Sequence, residues 1–101
     1  MATLNIDIDK ATEKIEKELN LQPKTAAIMA KNLFNLHENL FPIIEGWLEG
    51  KCEDVEFNGI TMSYIMKKEK TPFIDAVFSM SYLIENPDKI DFYKERTFDR
   101  K

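Results

Sequence analysis

The feature that most constrains the fold is a long apolar stripe in the first half of the chain. Its members step by four, three, four, three and four residues: Met29, Leu33, Leu36, Leu40, Ile43 and Trp47. This spacing follows the period of an α-helix and places the six side chains on one face. Pro42 lies within the stripe, and a proline inside a helix removes a backbone hydrogen bond. The pattern therefore predicts either one kinked helix or two helices that meet near residues 39–41.

Further helices are predicted on both sides of the stripe. Asp7 or Asp9 can cap a helix that runs to about Asn20, a residue type that tolerates the left-handed backbone of a helix end. Thr71 followed by Pro72 marks the beginning of a strongly apolar helix, and a short last helix follows residue 86. We predict an all-α (mainly helical) fold of four or five helices in a single domain, residues 1–101, whose tail at residues 95–101 is frayed.

A short β element is predicted near residues 53–60, where Val55 and Phe57 alternate with polar residues ahead of an Asn-Gly turn dipeptide. Residues 60–62 could complete a hairpin, or Thr61 could cap a helix. The apolar spacing after residue 60 favours the helix. Residues 1–8 are predicted to form an N-terminal arm or short strand, and residues 4–8 could pair with the β element.

Composition limits the environment in which such a chain folds. The sequence has 101 residues and no apolar run near the ~20 residues that a membrane span needs. The single cysteine, Cys52, cannot form an internal disulfide. The first residues show no basic segment followed by an apolar one, so no secretory signal is expected. We therefore expect a cytoplasmic protein that does not enter a membrane.

The sequence offers little for catalysis or for binding a cofactor. His37 is the only histidine, and neither a cysteine nor a second histidine lies at metal-binding spacing from it. Asn5, Asp7 and Asp9 follow the oxygen-ligand spacing of a calcium loop, but Lys10 stands where the turn needs glycine. No glycine-rich phosphate loop is present. We expect no catalytic residues, no cofactor and no metal, and hence no enzyme.

Two surfaces are predicted to contact another protein. Residues 38–57 hold six acidic side chains and one lysine around the only tryptophan, in a chain of net charge −4. An aromatic side chain within a patch of one charge sign suits a basic partner. The residues predicted to bind a protein there are Trp47, Glu45, Glu49, Glu53 and Asp54. The second surface is the outer side of residues 73–84.

Residues 12–31 carry apolar anchors at fixed offsets: Ile15, Leu19, Leu21, Ala26 and Met29. This spacing resembles that of the DNA-binding helix-turn-helix family, with Asn20 where glycine is usual and Glu16 where that family has a small residue. The resemblance implies that four residues face DNA: Gln22, Lys24, Thr25 and Lys31.

Two functions are therefore expected, in this order. The first is a non-catalytic protein-binding or regulatory domain whose partner is another protein or a second copy of the chain. Eleven aromatic residues and five methionines favour such contacts. The alternative is a small DNA-binding regulator, and DNA is an expected partner only under that alternative.

Overall fold

The computed structural model describes residues 3–96, which are mainly helical, as predicted. These residues form six α-helices and one two-stranded sheet: α1 (Ile8–Leu19), α2 (Pro23–Asn32), α3 (Phe41–Leu48), β1 (Glu56–Phe57), β2 (Ile60–Thr61), α4 (Met62–Glu69), α5 (Phe73–Glu85) and α6 (Ile90–Glu95). The chain divides between Glu53 and Asp54 into two compact units. We call residues 1–53 the first unit and residues 54–101 the second unit. The prediction of a single domain stays a prediction.

Helix α1 has the two ends that its sequence predicts. Of the two candidate caps, Asp7 is the one used, and its side chain accepts hydrogen bonds from the N–H groups of Asp9 and Lys10. Asn20 ends the helix in the left-handed conformation, with φ of 53°. Residues 3–7, which precede α1, form an arm rather than a strand. Leu4 is buried there, and the Asn5 N–H donates to the Glu45 carboxylate at 2.8 Å.

The apolar stripe is divided between two helices. Helix α2 ends at Asn32, two short 3-10 turns follow at Leu33–Asn35 and Glu38–Leu40, and α3 begins at Phe41. Pro42 therefore lies in the first turn of α3, where its missing N–H has no helical partner to lose. The His37 ring Nδ1 accepts the Asn39 N–H and caps the second 3-10 turn. Of the two alternatives, two separate helices is the one observed.

The core of the first unit contains side chains from all three of its α-helices. Trp47 is its largest member and is fully buried. Small and branched residues with no exposed surface complete it: Ala11, Ile15, Ala26, Ala30, Leu33, Leu40 and Ile44. The predicted stripe thus supplies core residues on both sides of its break.

The second unit begins with a hairpin, and its strand pairing corrects one prediction. Strand β1 pairs with β2 in antiparallel register, Glu56 opposite Thr61 and Phe57 opposite Ile60. Residues 3–7 form no strand, so the predicted pairing of residues 4–8 with the β element is wrong. The Asn58-Gly59 turn joins the two strands directly. Closing this short loop costs less chain entropy than pairing the β element with a distant segment would.

The two alternatives after the Asn-Gly turn are each realised in part: residues 60–61 complete the hairpin, and Met62, which the hairpin alternative included, begins α4. Thr61 ends β2 and also caps α4, because its hydroxyl accepts the Tyr64 N–H at 3.0 Å. Helix α4 ends at Lys70, which adopts the left-handed conformation with φ of 53°. Helix α5 begins at Phe73, one residue later than Pro72, and supplies most of the core of this unit: Phe73, Ile74, Ala76, Val77, Met80 and Leu83.

The last described element extends further than predicted. Glu95 still belongs to α6, and the Arg96 N–H donates to the carbonyls of Phe92 and Tyr93. The frayed tail at residues 95–101 stays a prediction. Residues 97–101 lie outside the described part of the chain.

Candidate protein-binding surface

A cavity of about 360 Å³ opens in the second unit where α5, the turn at Pro87–Lys89 and α6 approach one another. It is lined by six residues: Tyr82, Asp88, Lys89, Phe92, Tyr93 and Arg96. We call this set the aromatic groove. Its volume falls near the lower end of the ~300–1,000 Å³ typical of protein pockets that hold small ligands. The groove has room for one or two side chains of a partner.

Two aromatic side chains of the groove are strongly exposed. Phe92 is 67% exposed and Tyr82 is 55% exposed, although each follows or precedes a buried apolar residue of its helix. Helix α5 buries Ser81 and Leu83 on either side of Tyr82, which places the tyrosine on the outer side of the helix. Exposed aromatic residues that share one concave surface are typical of protein contact sites.

A third aromatic residue forms a fixed part of the groove. Tyr93 is only 8% exposed, and its hydroxyl donates to the Glu69 carboxylate at 2.7 Å. Burial and the Glu69 carboxylate raise the pKa of the Tyr93 hydroxyl above its usual range. The Lys68 ammonium lies 5.7 Å from the Tyr93 ring and donates to the Lys94 carbonyl. These contacts from α4 hold α6 and its exposed residues in place.

A second cavity of about 160 Å³ shares three residues with the aromatic groove, namely Tyr82, Tyr93 and Arg96. Its other lining residues are Glu69, Ser79 and Leu83. The two cavities therefore form one surface along α5 and α6. Hydroxyl, carboxylate and guanidinium groups stand beside the exposed rings on this surface, which suits a partner that is partly apolar and partly polar.

The charges of the aromatic groove are mixed. Asp88 and Lys89 lie in the turn before α6, and Arg96 follows its last residue. One carboxylate therefore stands at the beginning of the helix, and a guanidinium stands near its end. A surface of this kind can pair with both charge signs at once.

Trp47, which was predicted to bind a protein, lies in the core of the first unit and not on a surface. The residue has no exposed area, and its indole N–H donates to both oxygens of the Glu18 carboxylate at 3.1 Å. Trp47 has the helical spacing of the core residues in the apolar stripe, so its ring faces the core. Burying this large apolar side chain stabilises the fold. Acidic neighbours in the sequence do not alter that outcome.

The acidic residues predicted around Trp47 do not share one role. Glu45 is half-buried and holds the N-terminal arm through the Asn5 N–H, whereas Glu49 and Glu53 are exposed in the first unit. Asp54 belongs to the second unit, where its carboxylate accepts both the N–H and the hydroxyl of Ser63. These bonds lower the pKa of Asp54. Protein binding by these four residues stays a prediction.

The four residues that the helix-turn-helix resemblance assigns to DNA are all exposed: Gln22, Lys24, Thr25 and Lys31. Residues 20–22 join α1 to α2 in a three-residue turn that begins with the left-handed Asn20. Among the predicted anchors, Ile15 and Ala26 are fully buried, and the others are half-buried. The fold thus brings the predicted DNA-facing residues to one helix and its preceding turn.

The remaining sequence candidates have structural surroundings that account for them. Asp7 of the calcium-like spacing caps α1, and His37 caps a 3-10 turn. Cys52 is exposed as a free thiol. Within residues 3–96, no three histidine, cysteine or carboxylate side chains are grouped so that they could hold a metal ion.

Sequence reasoning found only part of the aromatic groove. The outer side of residues 73–84 was predicted as a surface and contains Tyr82, but the residues of the α6 side were missed: Asp88, Lys89, Phe92 and Arg96. The signal available was the pair Phe92-Tyr93, because adjacent residues of a helix cannot both face the same core.

Comparisons with known proteins found no match: no family model, no curated protein and no solved structure is similar to this chain. Across residues 3–96, no helix has both the length and the apolar composition to cross a membrane.

Proposed function

We propose that this protein is a non-catalytic, cytoplasmic binding domain that acts through protein–protein contacts, and that the aromatic groove is its contact surface. The observation that carries the proposal is the joint exposure of Tyr82 and Phe92 on one concave surface. Aromatic and arginine side chains are enriched among the residues that supply most binding energy, and this groove contains both. The exposed thiol of Cys52 is compatible with a reducing compartment.

The groove also has the preorganisation that a binding surface needs. Tyr93 is held by Glu69 and lies near Lys68, so α6 does not have to be ordered when a partner arrives. Binding to an ordered surface avoids the entropy of fixing a loop. A partner that covers both exposed rings removes a few hundred Å² of apolar area from water, since a fully buried aromatic side chain covers roughly 150–250 Å².

Site-specific photo-crosslinking in the native host tests the proposal. A benzoylphenylalanine replaces Phe92 in the full chain, and cells are irradiated before denaturing electrophoresis. We expect discrete protein adducts at this position. Adducts that weaken when Tyr82→Ser is added would tie the contact to both rings of the groove.

The matched control is the same photoreactive residue at Phe34. That side chain is also exposed, to 40%, but belongs to the first unit. Equal adducts from Phe34 would mean that any exposed position reacts with abundant proteins. Absence of adducts at Phe92 would contradict the proposal.

A second candidate function, a small DNA-binding regulator, is favoured by one specific observation on α2. Lys24, Ile28 and Lys31 follow one another along a single face of this helix, and Ile28 is 55% exposed. On a helix in the major groove, lysines reach phosphates or guanine, and an aliphatic side chain can contact the thymine methyl group. A contact with a thymine methyl group would explain why Ile28 is exposed between two lysines.

Fluorescence anisotropy with mixed duplex DNA tests the second candidate. Binding that weakens with salt, and that Lys24→Glu abolishes, would support it, because phosphate contacts release counterions. Lys67→Glu is the matched control, since it makes the same change of charge on an exposed residue of the second unit. Equal losses in both variants, or no binding at low salt, would contradict DNA recognition by α2.

A further inference from the structure

We propose that the occupant of the aromatic groove is the groove of a second copy of the chain, joined about a twofold axis. This inference rests on the proposed function and names its partner. The geometry that carries it is the order of charges along the helix: Asp88 stands before α6, Phe92 lies in its middle, and Arg96 follows its end.

A twofold axis places opposite charges of the two copies next to each other. In an isologous interface, residue i contacts residue j of the other copy, and j contacts i. When two α6 helices meet antiparallel, Asp88 of each copy lies opposite Arg96 of the other. The two Phe92 rings then lie near the axis, where each can pack against Tyr82 of the other copy.

The mixed charge of the groove favours a second copy over a partner of one charge sign. A uniformly acidic peptide would leave Asp88 facing like charge, and a uniformly basic peptide would do the same to Lys89 and Arg96. Like charges brought together at an interface oppose binding. A second copy instead places the Arg96 guanidinium opposite Asp88, so the Asp88 carboxylate of each groove meets a positive charge.

The size of the surface sets the expected strength. A complete aromatic side chain covers roughly 150–250 Å². Phe92 is 67% exposed and Tyr82 is 55% exposed, so the two rings of one copy offer roughly 250 Å² and the two copies together roughly 500 Å². Stable interfaces bury about 1,200–2,000 Å² in total. The dimer is therefore weak and concentration-dependent, with a dissociation constant on the order of 10 μM to 1 mM.

Sedimentation velocity of the purified full chain across about 10 μM to 1 mM tests the inference, because this range brackets contacts of that strength. We expect the average mass to rise from monomer toward dimer. Phe92→Ser should weaken self-association by about tenfold or more, as loss of a central aromatic residue does. Phe34→Ser, which removes an exposed aromatic residue of the first unit, should leave it unchanged.

Two charge-reversal variants provide the most direct test of the twofold contact. Asp88→Arg leaves two positive groups at each contact, and Arg96→Asp leaves two negative groups, so each variant alone should remain monomeric. An equimolar mixture of the two should dimerise again, because each copy then carries the charge that the other lacks. Far-UV circular dichroism of each variant checks that the monomers are folded.

The outcomes separate this inference from the proposed function. A wild-type mass that does not change with concentration would overturn the inference, as would single variants that associate like the wild type or a mixture that stays monomeric. If the purified protein is monomeric while Phe92 still crosslinks to a different protein in cells, the proposed function stands and the twofold contact does not.

Discussion

The indole N–H of Trp47 is held by the Glu18 carboxylate, with the nitrogen 3.1 Å from each oxygen. Lys14 lies one turn earlier on α1, with its ammonium 3.9 Å from Glu18 and 5.3 Å from the Trp47 ring. Trp47 is fully buried, so its polar N–H needs an acceptor inside the protein. The hydrogen bonds between Trp47 and Glu18 therefore join α1 to α3 in the first unit.

Glu18→Ala is expected to destabilise the first unit by about 1–3 kcal/mol, because it leaves the buried indole N–H without its acceptor. Glu18→Gln should recover most of that loss, since the amide oxygen can still accept. Denaturant unfolding followed by fluorescence of Trp47, the only tryptophan, measures both. Glu13→Ala removes an exposed carboxylate from the same helix and should cost less than about 0.5 kcal/mol. Equal effects of the two alanine variants would contradict the role of Glu18.

Lys70→Gly is expected to stabilise the protein by about 1 kcal/mol. Lys70 ends α4 with φ of 53°, a left-handed conformation that costs a residue with a side chain roughly 1–2 kcal/mol and glycine almost nothing. Lys67→Gly, three residues earlier inside the same helix, should instead destabilise by about 1 kcal/mol. Thermal unfolding followed by circular dichroism measures both. Two changes of the same sign would show that the backbone of residue 70 is not the cause.

The stability contributed by Asp54 is expected to depend on pH. Two bonds from Ser63 lower the pKa of this carboxyl, chiefly the one from the Ser63 N–H, so the folded state favours the ionised form. A lowered pKa stabilises the fold above the unfolded-state pKa, and this stabilisation is lost as the pH falls through the folded-state pKa. Asp54→Asn should therefore be less stable than wild type at pH 7, and the difference should be smaller at about pH 3.

Urea unfolding at the two pH values measures the Asp54 effect. Glu56→Gln is the matched control, because it removes one nearby negative charge from an exposed strand residue and leaves the Ser63 bonds in place. A difference between wild type and Asp54→Asn that is the same at both pH values would contradict the pKa argument.

Tyr93→Phe is expected to destabilise the second unit by about 1–3 kcal/mol, because Glu69 is only 6% exposed and loses its hydroxyl donor. Tyr64→Phe, at an exposed tyrosine nearby, should cost less than about 0.5 kcal/mol. Because burial raises the pKa of Tyr93 above its unfolded value, its stabilisation is present below about pH 10 and is lost as the pH rises further. Wild type should lose more stability there than Tyr93→Phe.

Much of the helical architecture could be predicted from local sequence. The cap at Asp7 or Asp9, the helix end at Asn20 and the Asn58-Gly59 turn were all predicted, because each depends on the conformational preferences of one or two residues. The choice of Asp7 over Asp9 was not. The break in the apolar stripe was harder to place. It depends on two 3-10 turns and on the His37 cap, and the phase of the stripe is the same whether or not the helix is continuous.

The candidate site was less accessible to sequence reasoning. An acidic neighbourhood indicated a docking role for Trp47, and no sequence pattern singled out Phe92, whereas the fold buries the first and exposes the second. Both residues lie on amphipathic helices. Helical spacing defines a face, but which face a neighbouring element covers is decided by the packing of several helices at once.

The sequence by itself thus determined the helical class and the ends of several elements, because caps and turns are short-range interactions. Tertiary structure alone decided which aromatic residues are buried and which charges meet around the exposed ones. Burial is a property of the assembled chain: Glu18 reaches Trp47 across 29 positions, and Tyr93 reaches Glu69 across 24. No local pattern contains such pairs, since they form only when the helices that carry them pack together.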